Sequence, residues 1–125
     1  FAGAALAGAN LTGAVLTGAL LTGANFTGAI GLPAAPVVEN LCIQILARIE
    51  NGGALDMRDW HTCETTHCRA GWAVVLAGAD GKALEKKYGP AVAGALIYHA
   101  STGRIPDFYA SNGTALADMR AAAGR

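Results

Sequence analysis

Ala9-Asn10-Leu11-Thr12-Gly13 and Ala24-Asn25-Phe26-Thr27-Gly28 are copies of one five-residue unit that recurs in phase from the first residue to about residue 30. Glycine stands at Gly3, Gly8, Gly13, Gly18, Gly23 and Gly28. A large apolar residue stands at Phe1, Leu6, Leu11, Leu16, Leu21 and Phe26, and alanine at Ala4, Ala9, Ala14, Ala19, Ala24 and Ala29. A period of five matches neither the turn of an α-helix nor the two-residue alternation of a strand. One side chain in five meets the same surroundings again only when the backbone turns a corner once per unit, which is the mark of a solenoid. A disordered Ala/Gly linker has no reason to keep three registers in phase over six units.

These pentads closely resemble the pentapeptide-repeat family. The resemblance implies a short right-handed, quadrilateral β-helix in which the central Leu or Phe and the Ala two positions before it point inward. Packing physics agrees: large apolar side chains of successive coils stack into a dry column, and alanine is small enough to share the narrow interior. Glycine at a corner adopts backbone angles closed to other residues, and Thr12, Thr17, Thr22 and Thr27 suit an extended face.

The position just before each central residue, expected to face outward, reads Ala5, Asn10, Val15, Leu20, Asn25 and Ile30, more apolar than a solvated face requires. Some members of the family mimic duplex DNA with long acidic β-helices, but no Asp, Glu, Lys or Arg precedes Glu39 here. The DNA-mimic role therefore has no electrostatic basis in this tract. At the roughly twenty residues per coil that the family implies, the tract makes only about one and a half coils, fewer than a solenoid needs to stand alone. Because the chain opens on Phe1 in mid-register, the expectation is that further coils lie upstream or that the open end stacks on a protein partner or a second copy.

Residues 31–36, Gly-Leu-Pro-Ala-Ala-Pro, break the period and read as a linker, and residues 37–125 as one small all-α domain. Nine basic and nine acidic side chains cancel, which argues against a nucleic-acid partner and against a grip on an anionic membrane. No apolar stretch reaches spanning length without a Gly, Pro or charge. Three cysteines are an odd number and make no disulfide framework, so a reducing, cytoplasmic setting is the default.

Val38, Leu41, Cys42, Ile45, Leu46 and Ile49 form an apolar stripe at helical spacing, ended by Gly52-Gly53. A second helix is expected to start at Thr65 or Thr66 and to run through Cys68, Gly71, Trp72, Val75 and Leu76 to Gly78 or Gly81. A third covers Lys82 to Tyr88, and Gly89-Pro90 opens a fourth through Val92, Leu96 and Ile97 to Ser101. Ile105 to Tyr109 reads as an ordered loop whose aromatics fold back, and Thr114 to Ala123 as a last short helix.

Chemistry concentrates between Asp59 and Trp72, where His61, Cys63, His67 and Cys68 fall together. Thiolates and imidazoles are preferred zinc ligands, so the four are candidate metal ligands, with His99 or another chain able to complete a subset. Against this, adjacent His67 and Cys68 point in different directions. Alternatively, Cys68 in the first turn of a helix has its thiolate favoured by free amides, with Arg69, His67 and His61 nearby and Cys63 as a resolving partner. The Cys-x4-Cys spacing is not that of thioredoxin-like motifs. In the structural alternative Trp60 and Trp72 anchor the core, Gly71 allows close packing, the histidines bond to backbone, and Cys63 and Cys68 are free to form a local disulfide.

This window, with Ile105 to Tyr109 and Ala115-Leu116-Ala117-Asp118-Met119-Arg120, resembles a family of small proteins met in bacteriophage and bacterial genomes. The resemblance spans about Val37 to Ala123 and implies a shared fold and a phage-linked setting, without an activity, ligand or partner. The expected function is a non-enzymatic structural or protein-interaction module, a β-helix scaffold presenting a helical head, oligomeric or phage-related, cytoplasmic or virion-associated. No cofactor is required by it. The alternative is a thiol- or zinc-dependent activity at His61, Cys63, His67 and Cys68.

Overall fold

The computed structural model describes residues 8–10, 26 and 29–124. Of the repeat's central positions only Phe26 falls among them; Phe1, Leu6, Leu11, Leu16 and Leu21 and the four repeat threonines lie outside the described residues. Asn10 and Ile30 are both exposed, as expected of the outward register. They form a parallel bridge, and the Ile30 amide donates to the Ala9 carbonyl at 2.8 Å.

Phe26 is 1 % exposed and belongs to the core of the helical head, its ring edge-on to His99 of a head helix at 5.7 Å. Ala29, Leu32 and Ala35 pack against the same core, so residues 31–36 run along the head's surface. The Val38 amide then donates to Ser101 Oγ at 2.9 Å.

Helix α1 (Leu41–Glu50) follows Asn40, whose φ of 55° is left-handed, a conformation that Asn tolerates better than most residues. It buries Leu41, Cys42, Ile45 and Leu46, the stripe read from the sequence. Gly52, at φ 98°, turns the chain after it.

The head is not all-α. Three short strands, β1 (Ala54–Leu55), β2 (His61–Cys63) and β3 (Thr66–His67), form a sheet of order β1-β3-β2, with β3 parallel to β1 and antiparallel to β2. The stretch read as loop and helix start is therefore a hairpin. Its β-branched threonines Thr62, Thr65 and Thr66 favour extended backbone around the Glu64-Thr65 turn, and they stand where cap residues were expected. Helix α2 (Arg69–Leu76) begins later, capped by Cys68, whose Sγ accepts from the Gly71 amide at 3.3 Å.

Helix α3 (Gly78–Tyr88) begins four residues before Lys82, because left-handed Gly78 reverses the chain directly after α2. Helix α4 (Pro90–Thr102) starts with proline in its first turn, and α5 (Asn112–Ala122) is capped by Ser111, which accepts from the Thr114 amide at 3.2 Å. Helix α4 is the centre of the head, with Val92, Ala93, Ala95 and Ile97 inaccessible to solvent. It meets α2 where Gly94 lies against Ala70. In the 105–109 loop Ile105 and Phe108 are buried as expected, whereas Tyr109 stays 59 % exposed and reaches Trp60 edge-on.

Candidate functional site: a histidine pair in the hairpin cavity

The hairpin sets His61 directly opposite His67 and Cys63 opposite Thr66. Its position on the head is set by a close approach: the Cys68 amide donates to the carbonyls of Asp59 and Trp60 at 3.1 and 3.3 Å, and Gly71 lies so near the Trp60 carbonyl that a Cβ would collide with it. Trp72 backs the site. Its indole N–H donates to the Ala54 carbonyl at 2.9 Å, and its ring meets the edge of His67 at 4.7 Å.

The two imidazoles face each other, Nδ1 to Nδ1, at 2.7 Å. Their far nitrogens are both held by acceptors: His67 Nε2 lies 2.8 Å from the Glu64 carbonyl, and His61 Nε2 lies 2.6 Å from Glu85 Oε2 on α3. A carbonyl only accepts, so His67 carries hydrogen on Nε2; a carboxylate imposes the same on His61. Burial lowers the pKa of His67, and the Glu64 carbonyl opposes that shift.

His61, Cys63, Glu64, His67, Lys82 and Glu85 line one cavity of about 750 Å³, whose apolar wall includes Val74 and Val75. That volume is in the range of small-ligand sites. Cys63 is exposed, its Sγ 3.7 Å from Thr65 Oγ1. The Thr65 amide, followed by the Thr66 and Thr65 side chains, lowers its pKa to about 7.

Cys68 is separated from this group. It is buried as the cap of α2, and burial raises its pKa to about 11 despite the Gly71 and Ala70 amides. The expected order of the two thiols is thus reversed: the helix cap is the inert one and the hairpin cysteine the activated one. Cys63, Cys68 and Cys42 are all free thiols in the structure. His99 lies against Phe26, away from the hairpin. Among the described residues no three His, Cys, Asp or Glu side chains already surround a common point suited to a metal ion.

Sequence reasoning missed Glu85, which no local pattern ties to a hairpin twenty-four residues earlier. It also placed Arg69 beside Cys68. Instead Arg69 is 2 % exposed and runs into the core, donating to the Tyr98 hydroxyl at 2.8 Å and pairing with Asp118 at 2.6 Å. Its guanidinium also lies over the Tyr98 ring, 5.0 Å from the centroid. Asp118 pairs with Arg104 as well, at 2.5 Å. This is a structural brace joining α2, α4 and α5.

The family model for pentapeptide repeats (8 copies) matches residues 1–30. That segment is a pentapeptide-repeat tract. No curated protein and no solved structure matches the chain. Among the described residues, no helix is long and apolar enough to cross a membrane.

Proposed function

We propose that this chain is a protein-interaction module in which a β-helix built from pentapeptide repeats rigidly presents a helical head to a protein partner. Pentapeptide repeats generally serve as interaction scaffolds. The observation that carries the proposal is Phe26, a repeat residue buried to 1 % exposure within the head's own core. A flexible tether would leave the last residue of its central apolar register outside the domain it joins. The Asn10 to Ile30 bridge supports the four-sided coil, because parallel partners twenty residues apart are what four pentads per turn require. A place in an assembly, cytoplasmic or virion-borne, with self-association through the β-helix, belongs to the same proposal.

The test is proximity cross-linking in the native host, followed by reconstitution of any recovered partner with the purified chain. Saturable binding that weakens at least tenfold with Phe26→Ala supports rigid presentation. Binding that is indifferent to Phe26→Ala, by a variant whose head remains folded, refutes it. Light scattering at high micromolar concentration addresses self-association: a strict monomer removes that arm.

A second function, chemistry at a reactive thiol, is favoured by Cys63, which is exposed and lines the same cavity as His61 and His67. Alkylation faster than that of free cysteine at neutral pH is its expected signature. A rate at or below that of free cysteine sinks it.

A further inference from the structure

The hairpin contains an electrostatic problem that its own hydrogen bonds create. The Glu64 carbonyl and the Glu85 carboxylate each take an Nε2 hydrogen, which leaves the Nδ1 lone pairs of His67 and His61 aimed at one another across 2.7 Å. Two lone pairs at that separation repel unless a cation lies between them: a proton at the present distance, or a metal ion once the rings part slightly. The outer partners are those that a metal-binding histidine usually has, its other ring N–H being given to a carboxylate or a backbone carbonyl. Both histidines here have such a partner.

We propose that His61 and His67 bind one zinc-class transition-metal ion through their Nδ1 atoms, with the Cys63 thiolate as third ligand and Glu85 and the Glu64 carbonyl as the groups that orient the rings. The ligand set differs from the four residues expected from sequence, because Cys68 is committed to capping α2. The required movement is small. At metal–nitrogen bonds of about 2.0–2.1 Å and tetrahedral geometry the two nitrogens stand about 3.3 Å apart, so the rings separate by about 0.6 Å from their present contact. Both strands of the hairpin are short and joined by a two-residue turn, so they can accommodate this shift.

Cys63 follows His61 on the same strand across a register irregularity, which sets it opposite Thr66, and it lines the same cavity; its side chain must turn from Thr66 towards the histidine pair to bind. Its thiol is held at the turn by the Thr65 amide and the Thr66 and Thr65 hydroxyls, and binding a metal exchanges those contacts for the metal–sulfur bond. A fourth ligand would come from solvent or from a bound molecule. The charges around the site suit a dication: the carboxylates Glu64 and Glu85 outweigh the single cation, Lys82, among the cavity-lining residues.

Cobalt(II) and zinc(II) are the probes, added to the purified full chain after dialysis against a chelator. One equivalent of cobalt is expected to bind and to give a thiolate-to-cobalt charge-transfer band, which one equivalent of zinc displaces. Cys63→Ser, at an exposed position that leaves the core untouched, removes that band. His61→Gln abolishes stoichiometric binding, and Glu85→Gln weakens it about 10–100-fold without changing the stoichiometry. Circular dichroism confirms that each variant is folded. The proposal is overturned if the folded wild-type chain binds no cobalt or zinc, since the cation between the rings is then only a proton. It is equally overturned if binding survives His61→Gln, or if the cobalt spectrum lacks a thiolate band.

Discussion

Replacing Gly94 by Ala tests the packing on which the head depends. In an isolated helix the change stabilises by about 1 kcal/mol, because alanine is the better helix former. Here the added Cβ would stand 2.5 Å from the Ala70 Cβ and 3.0 Å from the Ala70 Cα, against an ordinary contact beginning near 3.4 Å. Neither obstacle is the end of a flexible side chain, so α2 and α4 must separate by about 1 Å at their crossing. That loosens Ala73, Val74, Ala93 and Ile97, all 1 % exposed or less. Overpacking of this kind costs about 1–3 kcal/mol, and a clash between two backbone-fixed groups belongs at the upper end. The net expectation is a loss of about 2 kcal/mol, a fall of roughly 10 °C in melting temperature. Thermal melts followed by circular dichroism measure it. Adding Ala70→Gly removes the nearer contact but not the Cα, so the pair should couple favourably by about 1 kcal/mol in a double-mutant cycle. A Gly94→Ala protein that melts at or above the wild-type temperature would refute the close approach, as would a cycle with no coupling.

Three further outcomes are expected. Phe26→Ala should destabilise the head by about 3–5 kcal/mol, the usual loss for a buried aromatic, and hydrogen exchange in α4 should accelerate around His99; unchanged exchange there contradicts the core role of Phe26. Alkylation of the metal-free chain followed by mass spectrometry should modify Cys63 first, with a rate rising through a midpoint about pH 7, while Cys42 and Cys68 react only after unfolding. Equal native rates for the three thiols would contradict it. Asp118 contributes to the acid limb of stability: burial alone would raise its pKa, but hydrogen bonds from Arg104 and Arg69 hold it below the ordinary carboxylate value. Its contribution is then complete above the unfolded pKa of about 4 and is lost as pH falls through the lower folded value. Asp118→Asn should therefore flatten the decline of melting temperature below pH 4, and an undiminished decline would show that another group is responsible.

The helices with strong apolar periodicity were legible from sequence. The stripe from Leu41 to Leu46 and the Gly89-Pro90 start of α4 stand as read, because burial of one face and the chemistry of proline act locally. The hairpin was not. Its strands are two and three residues long, too short to show alternation, and its threonines serve equally as helix caps or as strand residues. The start of α3 was hidden for a similar reason, since Gly78 and Gly81 resemble stops but one turns the chain and the other lies where the Val74 carbonyl and Ala77 leave no room for a side chain. At the candidate site His61, His67 and Cys63 were visible as a cluster. Their division into facing imidazoles and a separate thiol, and the recruitment of Glu85 from α3, depend on strand register and helix docking, which are tertiary facts.

The burial of Phe26 decides where the smallest self-sufficient piece of this polypeptide begins. A cut at Gly31, where the five-residue period ends, would remove a ring that fills space beside His99 and leave a phenyl-sized hole in the face of α4. The natural seam of composition and the seam of stability are therefore offset by at least one pentad. A fusion or truncation that respects only the first would release a head with an open side.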